Sequence, residues 1–96
     1  MPAAAVREQL TELRGWTLES DGKAITRSFN TGDFATGMKL LNDVAEVAEA
    51  EQHHPDVQLT GYRHVRIDLT THAIGGLSRN DLIVAAKINA LPTAGE

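Results

Sequence analysis

The apolar positions change period along the chain, and each change marks a new element. Val6, Leu10 and Leu13 fall at i, i+4 and i+7, the stripe of a short first helix. Gly15 after Arg14 suits a left-handed cap at its end. Trp16 and Leu18 then alternate with Thr17 and Glu19, and Asp21-Gly22 is a two-residue hairpin signal. The return strand, Ala24 to Phe29, is less regular because Arg27 shares the parity of Ile25 and Phe29. That irregularity reads either as a bulge or as an edge position where the arginine stem covers apolar surface.

A second helix is expected from Thr31 or Asp33, both acceptable N-caps, to about Gln52. Phe34, Met38, Leu41, Ala45 and Ala48 form one stripe on it, and Leu40, Val44 and Val47 a second beside it. Together they span roughly 180°, wider than the roughly 100° that a single core requires. A polar line of Lys39, Asn42, Glu46 and Glu49 lies opposite, and His53 would continue it. Glu49 thus stands one turn before His53, either tuning it or as a solvated surface carboxylate.

Beyond Pro55 the period returns to two. Val57 and Leu59 mark a short strand, and Gly61 the turn region. Val65, Ile67 and Leu69 alternate with His64, Arg66, Asp68 and Thr70, a half-buried strand whose even parity runs on to His72. Ser78-Arg79-Asn80-Asp81 is a capping-box variant that opens a third helix through about Leu91, apolar nearly all round. Pro92 and Gly95 end it, leaving a loose tail. The order α-β-β-α-β-β-α gives an α+β two-layer sandwich: a four-stranded antiparallel sheet with three helices on one face. Residues 1–96 read as a single domain.

Composition narrows the functions open to such a domain. Aromatics are 4% of 96 residues, so the core is aliphatic, and such a small core gains from a partner subunit. With no cysteine there is no disulfide, thiolate nucleophile or cysteine metal site. A net charge of −4 argues against a nucleic-acid binder. No apolar run reaches the roughly 20 residues of a membrane span. The N-terminus has neither the basic nor the apolar region of a signal peptide, so a cytoplasmic protein is expected.

All four histidines lie between Glu49 and Asp81, and three of them, His53, His54 and His72, stand where the backbone must change direction. His53 and His54 precede Pro55, which disfavours helix in the residue before it, and Ala73-Ile74-Gly75-Gly76 follows His72. Adjacent histidines point about 100° apart on a helix and to opposite faces of a strand, so His53 and His54 converge poorly on a metal ion. Gly75-Gly76 lacks the lysine and spacing of a phosphate loop. General acid–base chemistry remains open to these imidazoles, as does a surface or hydrogen-bonded structural role. Asp81 has a sufficient structural reason in its helix cap. Trp16 is read as a core or hairpin anchor, with packing against a bound ring as the alternative.

Glu49, His53-His54-Pro55, Tyr62, His72 and Asp81 stand in an order that resembles the pterin-4a-carbinolamine dehydratase family. Gly15-Trp16, Asp33-Phe34 and the stretch from Thr71-His72 to Gly76-Leu77 resemble it as well. Gln52 departs from the acid found there in some relatives. The resemblance implies dehydration of a 4a-hydroxytetrahydropterin to the quinonoid dihydropterin, as in tetrahydropterin recycling, with no metal or cofactor. It implies His53 and His72 as proton donors to the departing hydroxyl, and His54 as a pterin-binding residue that assists as base. Glu49, Asp81 and Trp16 would support the substrate site. The resemblance leaves a protein-partner or assembly role as the alternative function, and the wide apolar arc of the second helix with the apolar third helix points to a homodimer or homotetramer.

Overall fold

In the computed structural model, which describes residues 1–95, the chain forms α1 (Ala3–Leu10), β1 (Thr17–Leu18), β2 (Ile25–Asn30), α2 (Phe34–Glu51), β3 (Asp56–Thr60), β4 (His64–Leu69) and α3 (Arg79–Asn89). Short 3-10 turns follow at His72–Ile74 and Pro92–Ala94. The four strands make one antiparallel sheet in the order β1-β2-β4-β3. The expected α+β sandwich is what the chain adopts.

The faces follow from the period-two pattern. On β4, Val65, Ile67 and Leu69 are buried while His64 and Arg66 are exposed, so one face of the sheet meets the helices and the other meets solvent. Ile25, Leu40, Ile67, Leu69, Leu77 and Ile88 are the largest fully buried aliphatic side chains. Each stabilises the fold by about 1.5–3 kcal/mol relative to exposure. No helix among the described residues is long and apolar enough to cross a membrane.

Several local expectations change. α1 stops at Leu10, short of Leu13, because the Thr11 hydroxyl donates to Glu8 O (2.7 Å) and tight turn bonds replace the helical ones. Leu13 still packs against the core from that turn. β2 contains no bulge: its register with β4 is unbroken from Ile25↔Leu69 to Asn30↔His64. Arg27 keeps its parity by laying its guanidinium 4.3 Å from the centroid of the Phe29 ring and donating to Asn89. β1 is only two residues long and pairs no further than Thr26, so Arg27 has no neighbouring strand on that side. On α2 the core stripe is Gly37, Leu40, Val44 and Ala48, which takes Ala48 out of the stripe assigned to Phe34. Phe34 and Met38 are 56% and 41% exposed. The tail is packed rather than loose: Ala94 is buried and the Thr93 hydroxyl donates to Asp43.

Candidate active site

α2 carries two of the histidines to their positions, and the way it ends decides their directions. Asp33 starts the helix by accepting the Thr36 N–H (2.7 Å), and that bond holds its carboxyl below the usual carboxylate range. At the other end Gln52 adopts a left-handed conformation (φ 53°, ψ 42°). Its N–H returns to Glu49 O, and the His53 N–H to Ala48 O (3.1 Å), the paired closure of a Schellman motif.

The expected partnership of Glu49 with His53 is therefore not formed. The left-handed Gln52 ends the helical phase, so His53 leaves the polar line and turns toward the N-terminus of α3. There His53 Nε2 lies 2.6 Å from Asp81 Oδ1. Glu49 meets His54 instead, with Oε2 2.5 Å from Nε2. The two pairs differ in surroundings: the His53 and Asp81 side chains are 13% and 0% exposed, those of His54 and Glu49 63% and 77%.

Asp81 is more than a helix cap. Its Oδ2 accepts the Ser78 N–H (2.9 Å), which completes the capping box, and also the Thr71 hydroxyl (2.8 Å). Its Oδ1 faces His53. One carboxyl thus starts α3, anchors the segment after β4 and holds an imidazole. A carboxylate that makes no solvent contact needs such complete pairing to be tolerated.

His72 does not continue β4, which ends at Leu69. It opens the 3-10 turn, closed by left-handed Gly75 (φ 63°) and bracketed by the Thr71↔Gly76 bridge. Its side chain is exposed, and its peptide neighbour Thr71 ties the turn to Asp81. Thr71 and Ser78 were not singled out as site residues in the sequence. The available signal was the Ser78–Asp81 spacing, which reads as a cap alone.

Trp16 and Tyr62 stand apart from this cluster. Trp16 is buried, and its indole N–H donates to Asn89 Oδ1 (2.9 Å) near the C-terminus of α3. Eight helical residues, about 12 Å, separate that contact from Asp81. Tyr62 is exposed at the tip of the β3–β4 hairpin, with positive φ, a strand's length from His54. An open cleft of about 640 Å³ lies between α1 and α3, lined by Gln9, Glu12, Leu13, Arg79 and Leu82, and includes none of the histidines. The two histidine–carboxyl pairs lie outside that cleft. Among the described residues no three histidine, aspartate or glutamate side chains are grouped to hold a metal ion.

The arrangement presents two imidazoles with Nε2 engaged by carboxyl groups and a third on an exposed turn tethered to the same aspartate. Such a surface can give and take protons from a ring laid across it. Comparison with known proteins bears on the family. The family described as pterin 4 alpha carbinolamine dehydratase matches residues 1–91. The chain belongs to that family.

Among its relatives is pterin-4-alpha-carbinolamine dehydratase 2, mitochondrial, of Arabidopsis thaliana, 42% identical over 93 residues. The match covers 95% of this chain but only 50% of the plant protein, so the chain spans about half the length of that relative. A solved structure titled transcriptional coactivator/pterin dehydratase, from Brucella melitensis, superposes with a TM-score of 0.89 at 35% identity. It covers 99% of this chain and 98% of the other. A pterin dehydratase-like protein identified as a RuBisCO assembly factor in the alpha-carboxysome shares the fold at a TM-score of 0.69 and 21% identity, over 86% of this chain and 93% of its own.

Proposed function

We propose that the chain dehydrates a 4a-hydroxytetrahydropterin, in the recycling of tetrahydropterins, by histidine acid–base catalysis. The observation that carries this reading is the His53–Asp81 pair at 2.6 Å, flanked by His54 and by the turn that bears His72. Family membership supports the substrate class.

The chemistry asks little of the protein. The lone pair of a ring nitrogen expels the hydroxyl from C4a, the C–O bond breaks, and the oxygen leaves as water once it is protonated. One ring N–H proton is lost to a base, giving the quinonoid dihydropterin. His53 and His72 act as alternative acids for the two faces of the pterin, each donating to the departing oxygen and contributing about 10²–10⁴-fold. His54, exposed beside Glu49, holds the pterin and assists as base. No step requires redox chemistry.

The test is steady-state dehydration kinetics on His53→Ala, His72→Ala and the double variant. Each single variant keeps partial activity, and the double variant loses far more than either. A double variant with near-normal turnover would end the acid–base assignment.

The exposed Phe34 and Met38 on α2 support a second part of the reading, that copies of this chain associate as a dimer or tetramer. Sedimentation is expected to give an oligomer at micromolar concentration; a monomer alone would reject it.

A further inference from the structure

We propose that Thr71 is a positioning residue that fixes the tautomer of His53, so that Nδ1 is the nitrogen left free to work. The tautomer stands on hydrogen-bond geometry alone; its use in dehydration rests on the function proposed above.

The direction of the hydrogen bonds follows from counting protons. The Ser78 backbone N–H can only donate, and it donates to Asp81 Oδ2 at 2.9 Å. The Thr71 hydroxyl has one proton, directed to the same oxygen at 2.8 Å. Thr71 Oγ1 and Ser78 Oγ are also 2.7 Å apart. With the Thr71 proton already used, Ser78 Oγ–H is the donor to Thr71 in that contact. The chain of donors therefore runs from Ser78 through Thr71 to Asp81 Oδ2. That leaves Oδ1 to face His53 Nε2 at 2.6 Å. The Asp81 carboxylate, which accepts from both Ser78 and Thr71, is an acceptor only, so Nε2 is the donor in its contact with Oδ1. His53 is thus Nε2–H when neutral, and Nδ1 carries the lone pair that gains and loses the working proton.

Thr71 is needed because the carboxyl group could otherwise rotate. Asp81 lies at the third position of its helix, where the Ser78 N–H holds one oxygen but does not set the plane of the group. A second donor from a separate segment sets it. Thr71 is placed for this by its bridge to Gly76, with Thr71 N–H donating to Gly76 O at 2.8 Å. The same bridge brackets the turn that starts at His72. One threonine therefore sets the orientation of His53 through Asp81 and holds the base of the His72 turn.

The experiment is histidine ring nitrogen-15 NMR at a pH above the ordinary imidazole pKa of about 6.5. It is run on the full chain and on Thr71→Val and Thr71→Ser, with dehydration kinetics in parallel. Wild-type His53 is expected as the Nε2–H tautomer. Thr71→Val is expected to show both tautomers and a kcat about tenfold lower, with KM within about twofold, the split of a group that acts after binding. Thr71→Ser, which keeps the hydroxyl, is expected to restore both readouts.

A wild-type His53 in the Nδ1–H form overturns the proposal, and that measurement decides even if Thr71→Val does not fold. So does Thr71→Val with an unchanged tautomer and kcat. A shifted tautomer in a protein that shows no dehydration leaves the positioning in place and counts against the dehydratase reading, so the two failures are distinguishable.

Discussion

Two carboxylate–histidine pairs stand within a few residues of each other, and they share little beyond their chemistry. His53–Asp81 joins segments 28 residues apart, and its aspartate is fully buried with three donors around it. His54–Glu49 spans five residues, is largely exposed on both sides and rests on one contact. A buried carboxylate without partners is costly, so Asp81 is bound to its surroundings by necessity. An exposed pair gains little net energy, because water and salt screen it and two side chains lose freedom. One pair is built into the structure; the other stands open to solvent.

The strongest way to break that contrast is to remove the buried carboxylate. Asp81→Ala strips a helix cap and leaves the Thr71 hydroxyl, the Ser78 N–H and the His53 ring without their acceptor. Losing one partner of a buried pair costs on the order of 3–5 kcal/mol. Against a total stability of about 5–15 kcal/mol, that is a large share. Urea denaturation followed by circular dichroism is expected to show a much lower midpoint, with activity lost alongside. A change under about 1 kcal/mol would mean that Asp81 is not the anchor the geometry describes.

Next in size is His54→Ala, which tests the exposed partner as a ligand-binding group. Its expected effect is a rise in KM with kcat little changed, the mark of an interaction made equally in ground and transition states. The denaturation midpoint should stay within about 0.5 kcal/mol of the wild type, as for most surface changes. A large fall in kcat with KM unchanged would move His54 into the proton-transfer role.

The contrast also marks what was legible in the sequence. The sheet face was readable because Val65, Ile67 and Leu69 keep period two; on α2 Leu40 and Val44 were read on one stripe, but their buried neighbour Ala48 was assigned to that of Phe34. The histidines were singled out by Pro55 and by Gly75-Gly76, which mark turns in any sequence. Their partners were not readable. Gln52 is left-handed without being glycine, so nothing local announces that the helical phase stops before His53. Carrying the phase one residue too far is what assigned Glu49 to the wrong histidine. The Asp81 capping box was visible from its spacing, but Thr71 and His53 reach it through tertiary packing, which has no period.

The smallest expected effect is the coupling between Glu49 and His54, and it sharpens the comparison best because it predicts nearly nothing. A double-mutant cycle of Glu49→Ala, His54→Ala and the pair isolates their interaction from each residue's other contacts. For two groups this exposed the coupling should fall between about 0.2 and 1 kcal/mol at low salt. It should fade toward zero at 1 M salt, where the screening length is only about 3 Å. The corresponding cycle on His53 and Asp81 should exceed it and resist salt, because ions do not reach a carboxylate with no exposed surface. Equal couplings in the two cycles, or equal salt sensitivity, would show that the burial of Asp81 does not separate the pairs. The division between an anchoring histidine and a ligand-facing one would then have to be redrawn.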